Sequence, residues 1–281
     1  MIKFGPSGNS EAFHNAGHTD SLLSPVWVKN LGLDCFEYSF GRGVNLSTKK
    51  GEEICKAFSD NGIEISVHAP YFINFATPEE EKAENSYNYV LQSCKMAKIM
   101  GAKRVVFHPA SQGKLDRNEA VNLTKLRLSI LADKIYENGY DDLLICPETM
   151  GKFAQIGTTK EISEFCKIAP FYYPCIDFGH INSRTLGGLK STEDFVNELN
   201  EIELIAGREK LEKMHVHFSK IMYSQKGEVK HLTFLDNEYG PNPEHFINAI
   251  KVKEIEPYVI SESAGTQDID ALTLKNLYFN K

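Results

Sequence analysis

Histidine and carboxylate side chains recur along this chain where short apolar stretches end. These residue types are common ligands of catalytic divalent metals, and a set of imidazoles and carboxylates suits Zn²⁺ or Mn²⁺. One such residue at the end of a strand is commonplace, but six at corresponding points of six strands indicate a shared site. The six stretches end at, or in one case contain, His68, His108, Glu148, Asp177, His215 and Glu262.

Two further histidines, His180 and His231, enlarge the set of candidate ligands. The set is too large for one tetrahedral ion, so it predicts two or three ions, either zinc or manganese. A carboxylate such as Glu148 can bridge two ions about 3.5–4 Å apart, and a metal lowers the pKa of bound water to roughly 7. The arrangement suits hydrolysis of phosphate esters, with Glu148 and Glu262 as the candidate catalytic carboxylates.

Several other polar residues have open assignments. His217 lies two residues after His215, so in a strand both side chains point the same way. His217 is therefore either a ligand or a hydrogen-bond donor to one. Glu37, in the second predicted strand, is ambiguous. Three histidines in predicted loops or at a helix start are expected to face solvent: His14, His18 and His245.

Apolar runs and helical patterns alternate from end to end, which predicts a parallel sheet covered by helices. Segments 2–4 and 35–40 are the first two predicted strands, and the six stretches above complete a set of eight. This order predicts an α/β protein, a single-domain (β/α)8 TIM barrel over residues 1–281, with a doubly wound open sheet as the rival. In a barrel the C-terminal ends of all strands meet at the face where active sites lie.

Capping signals mark the predicted helix boundaries. Thr77, Asp116 and Thr158 are predicted N-caps, because each is followed three residues later by a glutamate. Gly62 and Gly139, each preceded by an asparagine, are predicted helix ends, since glycine tolerates positive φ.

Two longer segments have a distinct composition. The helix predicted over 119–137 has one apolar face, and segment 222–242 is rich in Gly, Asn, Asp and Glu. That second segment is predicted to form a loop over the site. The apolar helix face comprises Leu123, Leu126, Ile130, Leu131 and Ile135.

Composition limits the function classes. The net charge of −7 argues against binding to nucleic acid through bulk charge, although a bound metal can reverse the field at one cleft. The six cysteines form no C-x-x-C pair, and neither a signal peptide nor a membrane span is evident. Reduced thiols, a cytoplasmic location, no membrane association and no obligate protein partner are expected.

Six short motifs follow one another along the chain: HAPYFIN at 68–74, FHPAS at 107–111, PETMG at 147–151, CIDFGH at 175–180, MHVH at 214–217 and SES at 261–263. In this order they resemble the endonuclease IV family of apurinic/apyrimidinic endonucleases, within the wider xylose-isomerase-like group of barrels. The likeness spans about the whole chain. Each motif is moderately specific, and their order strengthens the resemblance.

The resemblance implies zinc ions at the barrel mouth, three in the family, and cleavage of the DNA backbone 5′ to an abasic site. It also implies DNA containing abasic sites as the partner. The implied ligands are His68 and His108 for the first ion, Asp177, His215 and Glu262 for the second, His180 and His231 for the third, with Glu148 bridging the first two.

The resemblance also suggests DNA contacts. Tyr71 and Phe72 occupy the place of side chains that the family wedges into the helix when it flips out the abasic nucleotide. Arg42 is the one basic residue in segment 40–44, where the basic and aromatic loop of the family is not evident. The family pairs its third-site histidine with an aspartate two residues earlier, but here that position is Val229. Either Glu228 replaces the aspartate or the third ion is weak or absent.

Two other functions remain open. A sugar isomerase or epimerase on the same barrel would use one divalent ion, held by Glu148, Asp177, His215 and Glu262. His68 and His108 would then contact substrate or act in acid–base catalysis. A non-catalytic protein that senses DNA or nucleotides and keeps metal for stability is the third hypothesis.

Overall fold

Eight parallel strands close into a barrel in the computed structural model, which describes residues 1–280. The barrel strands are β1 (Lys3–Pro6), β2 (Cys35–Ser39), β3 (Glu64–His68), β4 (Arg104–Phe107), β6 (Leu144–Pro147), β8 (Cys175–Asp177), β9 (His215–Phe218) and β12 (Tyr258–Ser261). They form two four-stranded sheets, in the orders β1-β12-β9-β8 and β2-β3-β4-β6. Bridges between Ser7 and Glu37 and between Glu148 and Cys175 join the sheets at both edges. The predicted (β/α)8 barrel is confirmed.

Eleven α-helices lie among residues 1–280, with one 3-10 turn at Ser21–Leu23. Their apolar faces pack on the strands in one large core. None of these helices combines the length and apolar composition that a membrane-spanning segment requires. The helices are α1 (Glu11–Asn15), α2 (Ser24–Asn30), α3 (Thr48–Asn61), α4 (Glu80–Met100), α5 (Arg117–Glu137), α6 (Thr159–Phe165), α7 (Phe178–Arg184), α8 (Thr192–Ala206), α9 (Arg208–Glu212), α10 (Pro243–Val252) and α11 (Gln267–Phe279).

The capping predictions hold at most helix ends. Asp116 and Thr158 each form a full capping box, and Gly62 ends α3 with φ of 68°. Thr77 is not an N-cap, because α4 begins at Glu80. The Thr77 hydroxyl instead accepts a hydrogen bond from the Glu79 N–H, which forms a turn before the helix.

The predicted apolar face of α5 is wrong in part. Leu131 and Ile135 are buried as expected, whereas Leu126 is 59% exposed and Ile130 is 40% exposed. The buried face instead includes Leu128, four residues before Ala132 on the same side of the helix. The helix is therefore rotated relative to the face that the apolar pattern indicated.

Two short antiparallel pairs rise above the barrel mouth. β5 (Ala110–Ser111) pairs with β7 (Gln155–Ile156), and β10 (Ile221–Ser224) pairs with β11 (Gly227–His231). The loop predicted over 222–242 is thus wrong for its first half, which forms the β10–β11 hairpin. The hairpin pairs despite its polar composition because Gly227, with φ of 90°, takes the backbone conformation that its turn requires.

Candidate metal centre

The C-terminal ends of the barrel strands bring donor side chains from distant parts of the sequence together. Within residues 1–280, the donor atoms of each of three neighbouring groups lie within 4.8 Å of one another. The first group lies at the ends of three strands, the second at the ends of four strands, and the third includes residues of the β10–β11 hairpin. The groups are His68, His108 and Glu148; Glu148, Asp177, His217 and Glu262; and His180, Glu228 and His231.

Glu148 lies at the centre and belongs to two of the groups. Its Oε2 is 3.2 Å from His68 Nε2 and 3.1 Å from His108 Nε2, and its Oε1 is 3.0 Å from His217 Nδ1. Burial raises the pKa of Glu148, but the charges of His217 and His108 outweigh it and hold the pKa well below its usual range. Glu148 is therefore an anion with an oxygen towards each group, which suits a bridging ligand.

Backbone carbonyls fix the orientation of two imidazole rings. His68 Nδ1 lies 2.8 Å from the Ala69 carbonyl oxygen, and His180 Nδ1 lies 2.8 Å from the Thr149 carbonyl oxygen. Because a carbonyl only accepts, Nδ1 carries a proton in both rings. The Nε2 atoms face carboxylates of the site, His68 towards Glu148 and His180 towards Glu228, and they are the nitrogens that a metal would use.

The third group depends on the hairpin. Glu228 Oε2 lies 3.6 Å from His180 Nε2, and the His180 and His231 ring centroids are 5.6 Å apart. Ser219 Oγ lies 2.8 Å from His231 Nδ1 and orients that ring. The pattern of the resemblance has an aspartate two residues before this histidine, at the position of Val229. In this chain the carboxylate beside His180 comes instead from Glu228, one residue earlier. Val229 itself is 50% exposed.

Close backbone contact sets the position of the hairpin. The Glu228 N–H donates to the Gly151 carbonyl, and Gly227 forms a bridge with Lys152. A Cβ on Gly151 would lie 2.7 Å from Glu228 Cβ, so only glycine admits the hairpin at this distance. Gly151, the last residue of the PETMG motif, is therefore required for the geometry of the third group.

Asp177 offers a direct test of whether a cation fits. Its Oδ1 accepts the His180 N–H at 2.8 Å and caps α7. Its Oδ2 is buried without a hydrogen-bond partner among residues 1–280. His180 Nδ1 is 3.3 Å away but also contacts the Thr149 carbonyl. An unpaired buried carboxylate oxygen is costly, so a divalent ion beside Asp177 fits this donor set.

Protonated imidazoles balance the negative charge of the carboxylates in this cluster. Burial lowers the pKa of His180, but the Asp177 and Glu148 carboxylates raise it well above its usual value. Burial lowers the pKa of His217, but neighbouring Cys175 and the carboxylates of Glu262, Glu37 and Glu148 raise it well above its usual value. A cation at the same place would satisfy these carboxylates instead of the imidazole protons.

The structure places His217, and not His215, in the second group. Both side chains point into the barrel, but β9 aligns His217 with Asp177 and His215 with Cys175, one layer deeper. His215 Nε2 lies 3.1 Å from Glu37 Oε2, and burial lowers the pKa of His215 to about 4. The expectation that His215 completes the second group therefore does not match the geometry, which depends on strand register.

A cavity of about 360 Å³ opens over the three groups, lined also by Tyr71 and Lys152. Tyr71 is 57% exposed, with its ring centroid 5.7 Å from that of His68. Phe72 is 58% exposed but lines the neighbouring cavity beside Tyr89. Arg42 is exposed next to Gly41, whose carbonyl accepts the Tyr71 N–H.

The remaining histidines differ from expectation in part. His14 is exposed as predicted. His18 is half-buried because its ring packs against Phe13 and Trp27. His245 is also half-buried, with Nδ1 3.2 Å from Thr192 Oγ1. All six cysteines are free thiols, as expected.

The fold and the site define the class. A family model described as the xylose isomerase-like TIM barrel matches residues 25–275, and the chain belongs to that family. An uncharacterized protein of Methanocaldococcus jannaschii is 32% identical over 253 residues, covering 89% of each chain. A probable endonuclease 4 of Aquifex aeolicus is 24% identical over 257 residues, covering 83% of this chain and 89% of the relative.

Solved structures share the fold at low sequence identity. A D-tagatose 3-epimerase-like protein has a TM-score of 0.73 at 20% identity, with 99% of this chain and 97% of the other covered. Endonuclease IV from Thermus thermophilus has a TM-score of 0.71 at 16% identity, with 99% of this chain and 100% of the other covered. The resemblance seen in the motifs is confirmed as that of a divergent relative.

Proposed function

We propose that the protein is a zinc-dependent endonuclease that hydrolyses the DNA phosphodiester 5′ to abasic sites. The single observation that supports this most is the third donor group, made by His180, Glu228 and His231 beside the two that share Glu148. A one-ion sugar enzyme needs only four of these donors. A hairpin that adds a further donor set over the same cavity favours a substrate whose reaction uses several cations.

Each donor has a role in this proposal. His68, His108 and Glu148 would hold one ion, His180, Glu228 and His231 another, and the four-residue group a third. When bound, divalent ions would supply Lewis-acid stabilisation of the phosphate and a water with a pKa near 7. The chain itself supplies two buried or nearly buried carboxylates at the reacting centre, Glu148 and Glu262. Glu262 lies at the cavity wall, with Oε2 3.5 Å from His217 Nδ1.

Side chains at the cavity rim fit a nucleic-acid substrate. Lys152 is an exposed cation on the cavity wall and suits a phosphate of the bound strand. Tyr71 presents an exposed aromatic ring beside the donors, suited to packing against a nucleotide or the gap left by a flipped one. Phe72 and Arg42 lie beside it and would contact flanking DNA. The bound ions would reverse the field of an acidic chain at this cleft.

A sugar epimerase is the second candidate, and one observation favours it. The group of Glu148, Asp177, His217 and Glu262 is by itself a complete four-donor site. In that function a single ion would orient a sugar, and His68 and His108 would contact substrate. The number of bound ions separates the two candidates.

A cleavage assay tests the proposal. Zinc-reconstituted protein is incubated with a duplex that carries one abasic-site analogue, and EDTA-treated protein and an undamaged duplex are the controls. We expect one nick 5′ to the lesion that EDTA abolishes. Intact duplex, with bound zinc verified in the same sample, would contradict the proposal and favour a sugar substrate. Tight binding of the lesion without product would favour a sensor instead.

A further inference from the structure

A layer of buried polar side chains lies beneath the metal centre, inside the barrel. It contains Glu37 of β2, Ser66 of β3 and the inner histidine of β9, His215, all of them fully buried. The resemblance and the donor groups leave Glu37 without a function. We infer that Glu37 is a positioning residue that holds the His217 ring with Nδ1 towards Glu148. The inference rests on the proposed metal centre and deepens it.

The His217 ring stands between two carboxylates. Its Nε2 lies 2.9 Å from Glu37 Oε1, and its Nδ1 lies 3.0 Å from Glu148 Oε1. The two ring nitrogens of an imidazole are distinct, and a carboxylate facing one of them determines where the proton is kept. His217 Nδ1 is hydrogen-bonded to Glu148 Oε1. When an ion takes the Nδ1 lone pair together with Glu148, Glu37 is the carboxylate that would keep the remaining proton of the ring on Nε2.

Glu37 is itself held in place from the neighbouring strands. Ser66 Oγ donates to Glu37 Oε2 at 3.0 Å, and the same oxygen lies 3.1 Å from His215 Nε2. Parallel pairing of β2 and β3 places Glu37 directly opposite Ser66. One carboxylate oxygen is thus held by the Ser66 hydroxyl with the His215 ring beside it, and the other lies next to His217.

Burial makes this arrangement necessary. Glu37 and His217 are both 0% exposed. Within residues 1–280, neither Glu37 Oε1 nor His217 Nε2 makes a hydrogen bond, so their 2.9 Å approach to each other is a charge contact. A buried carboxylate is expensive unless it is compensated, so Glu37 and the His217 ring require each other. Without Glu37, the proton of the His217 ring could move between Nε2 and Nδ1, or the ring could rotate.

Cys175 provides a matched control. Its Sγ lies within 4.8 Å of donor atoms of His215 and His217, so by distance these three also form a group. The positioning role requires the Glu37 carboxylate and not the thiol. Cys175→Ser should therefore keep the metal content and the orientation of His217, whereas Glu37→Gln should not.

Two measurements test the inference on the full-length, zinc-loaded protein. Two-bond ¹H–¹⁵N correlation spectra of ¹⁵N-histidine-labelled protein report which nitrogen of His217 carries the proton, with the signal assigned by its loss in His217→Gln. Zinc affinity is measured by competition with a fluorescent chelator. We expect Nε2–H in the wild type, a loss of that single state in Glu37→Gln, and about 10–100-fold weaker binding of the ion at His217.

Several results would overturn the positioning role. One is a proton on Nδ1 of His217 in the wild type. This result does not depend on whether any variant folds. Others are unchanged zinc affinity in folded Glu37→Gln and Glu37→Asp, or loss of one zinc in Cys175→Ser, which would make the buried layer a metal site. If the wild type binds zinc and shows the expected Glu37 effects but does not nick DNA, the proposed function fails while the positioning role is supported.

Discussion

The strand ends and the β10–β11 hairpin build the metal centre in two different ways. His68, His108 and Glu148 extend from β3, β4 and β6, whose positions the closed barrel fixes. Glu228 and His231 instead lie on a hairpin above the mouth, which contacts the barrel near Gly151 and Gly227. The first group therefore follows from the fold, whereas the third also depends on how the hairpin packs against the backbone of residues 151–153.

This difference suggests a division of roles. The strand-end donors are compatible with both candidate functions, the endonuclease and the sugar epimerase. A donor set on the hairpin is an addition that can be removed while the barrel and its strand-end donors remain. Substitutions in the two regions should therefore have separable effects on metal content and on DNA cleavage.

The largest effect is expected for Glu148→Gln, which removes the charge shared by two groups. Loss of several kcal/mol of charge stabilisation corresponds to roughly 10³-fold slower nicking or more, with loss of more than one bound ion. Single-turnover nicking and metal analysis measure both, and the exposed Glu81→Gln is the matched control. Near-normal activity in folded Glu148→Gln would show that the strand-end group is not the reacting centre.

Removal of the hairpin donor should have a smaller effect. His231→Ala deletes one of three donors in the third group, and we expect about 100-fold slower nicking with loss of one ion, since even supporting residues of a metal site give 10–100-fold effects. Metal analysis and the nicking rate are compared with those of His14→Ala, which changes an exposed histidine. Wild-type rates with one ion fewer would show that the hairpin ion has no part in cleavage.

Gly151→Ala tests the contact that positions the hairpin. The new Cβ would meet Glu228 Cβ at 2.7 Å, and relieving such overpacking costs about 1–3 kcal/mol, so we expect roughly tenfold slower nicking. Metal titration should show weaker binding at the third group only. Equal weakening at all groups would indicate that Gly151 supports the barrel mouth as a whole.

The smallest effect is expected for Tyr71→Ala. An aromatic contact to nucleic acid contributes about 1–3 kcal/mol, so we expect at least fivefold weaker binding of abasic duplex at unchanged metal content. Fluorescence anisotropy measures the Kd, and Tyr136→Ala, which removes a ring that is 48% exposed near the end of α5, is the control. An equal loss of affinity in both variants would show that Tyr71 makes no specific contact with DNA.

The barrel and the strand-end donors could be predicted because the fold brings strand ends together regardless of sequence separation. The choice between His215 and His217 could not, because both face the barrel interior and only the alignment of β9 with β8 decides their depth. That alignment is set by the packing of the whole sheet. The spacing of the two histidines shows that they share a side and carries no information on depth.

The hairpin and Glu37 were beyond sequence reasoning for a related reason. The position of Glu228 depends on its contact with Gly151, which is distant in the chain, so Glu228 remained one of two alternatives. Glu37 lies opposite Ser66, and its direction towards His217 depends on barrel closure. A lone glutamate inside an otherwise apolar predicted strand was the one available signal of its role.

Anomalous diffraction at the zinc absorption edge, from crystals of zinc-reconstituted protein, tests the central claim most directly. We expect a peak at each of the three donor groups, with one of them between His180 and His231. A single peak among Glu148, Asp177, His217 and Glu262, with none at the hairpin in saturating zinc, would contradict a centre built for several ions and favour a one-ion sugar enzyme.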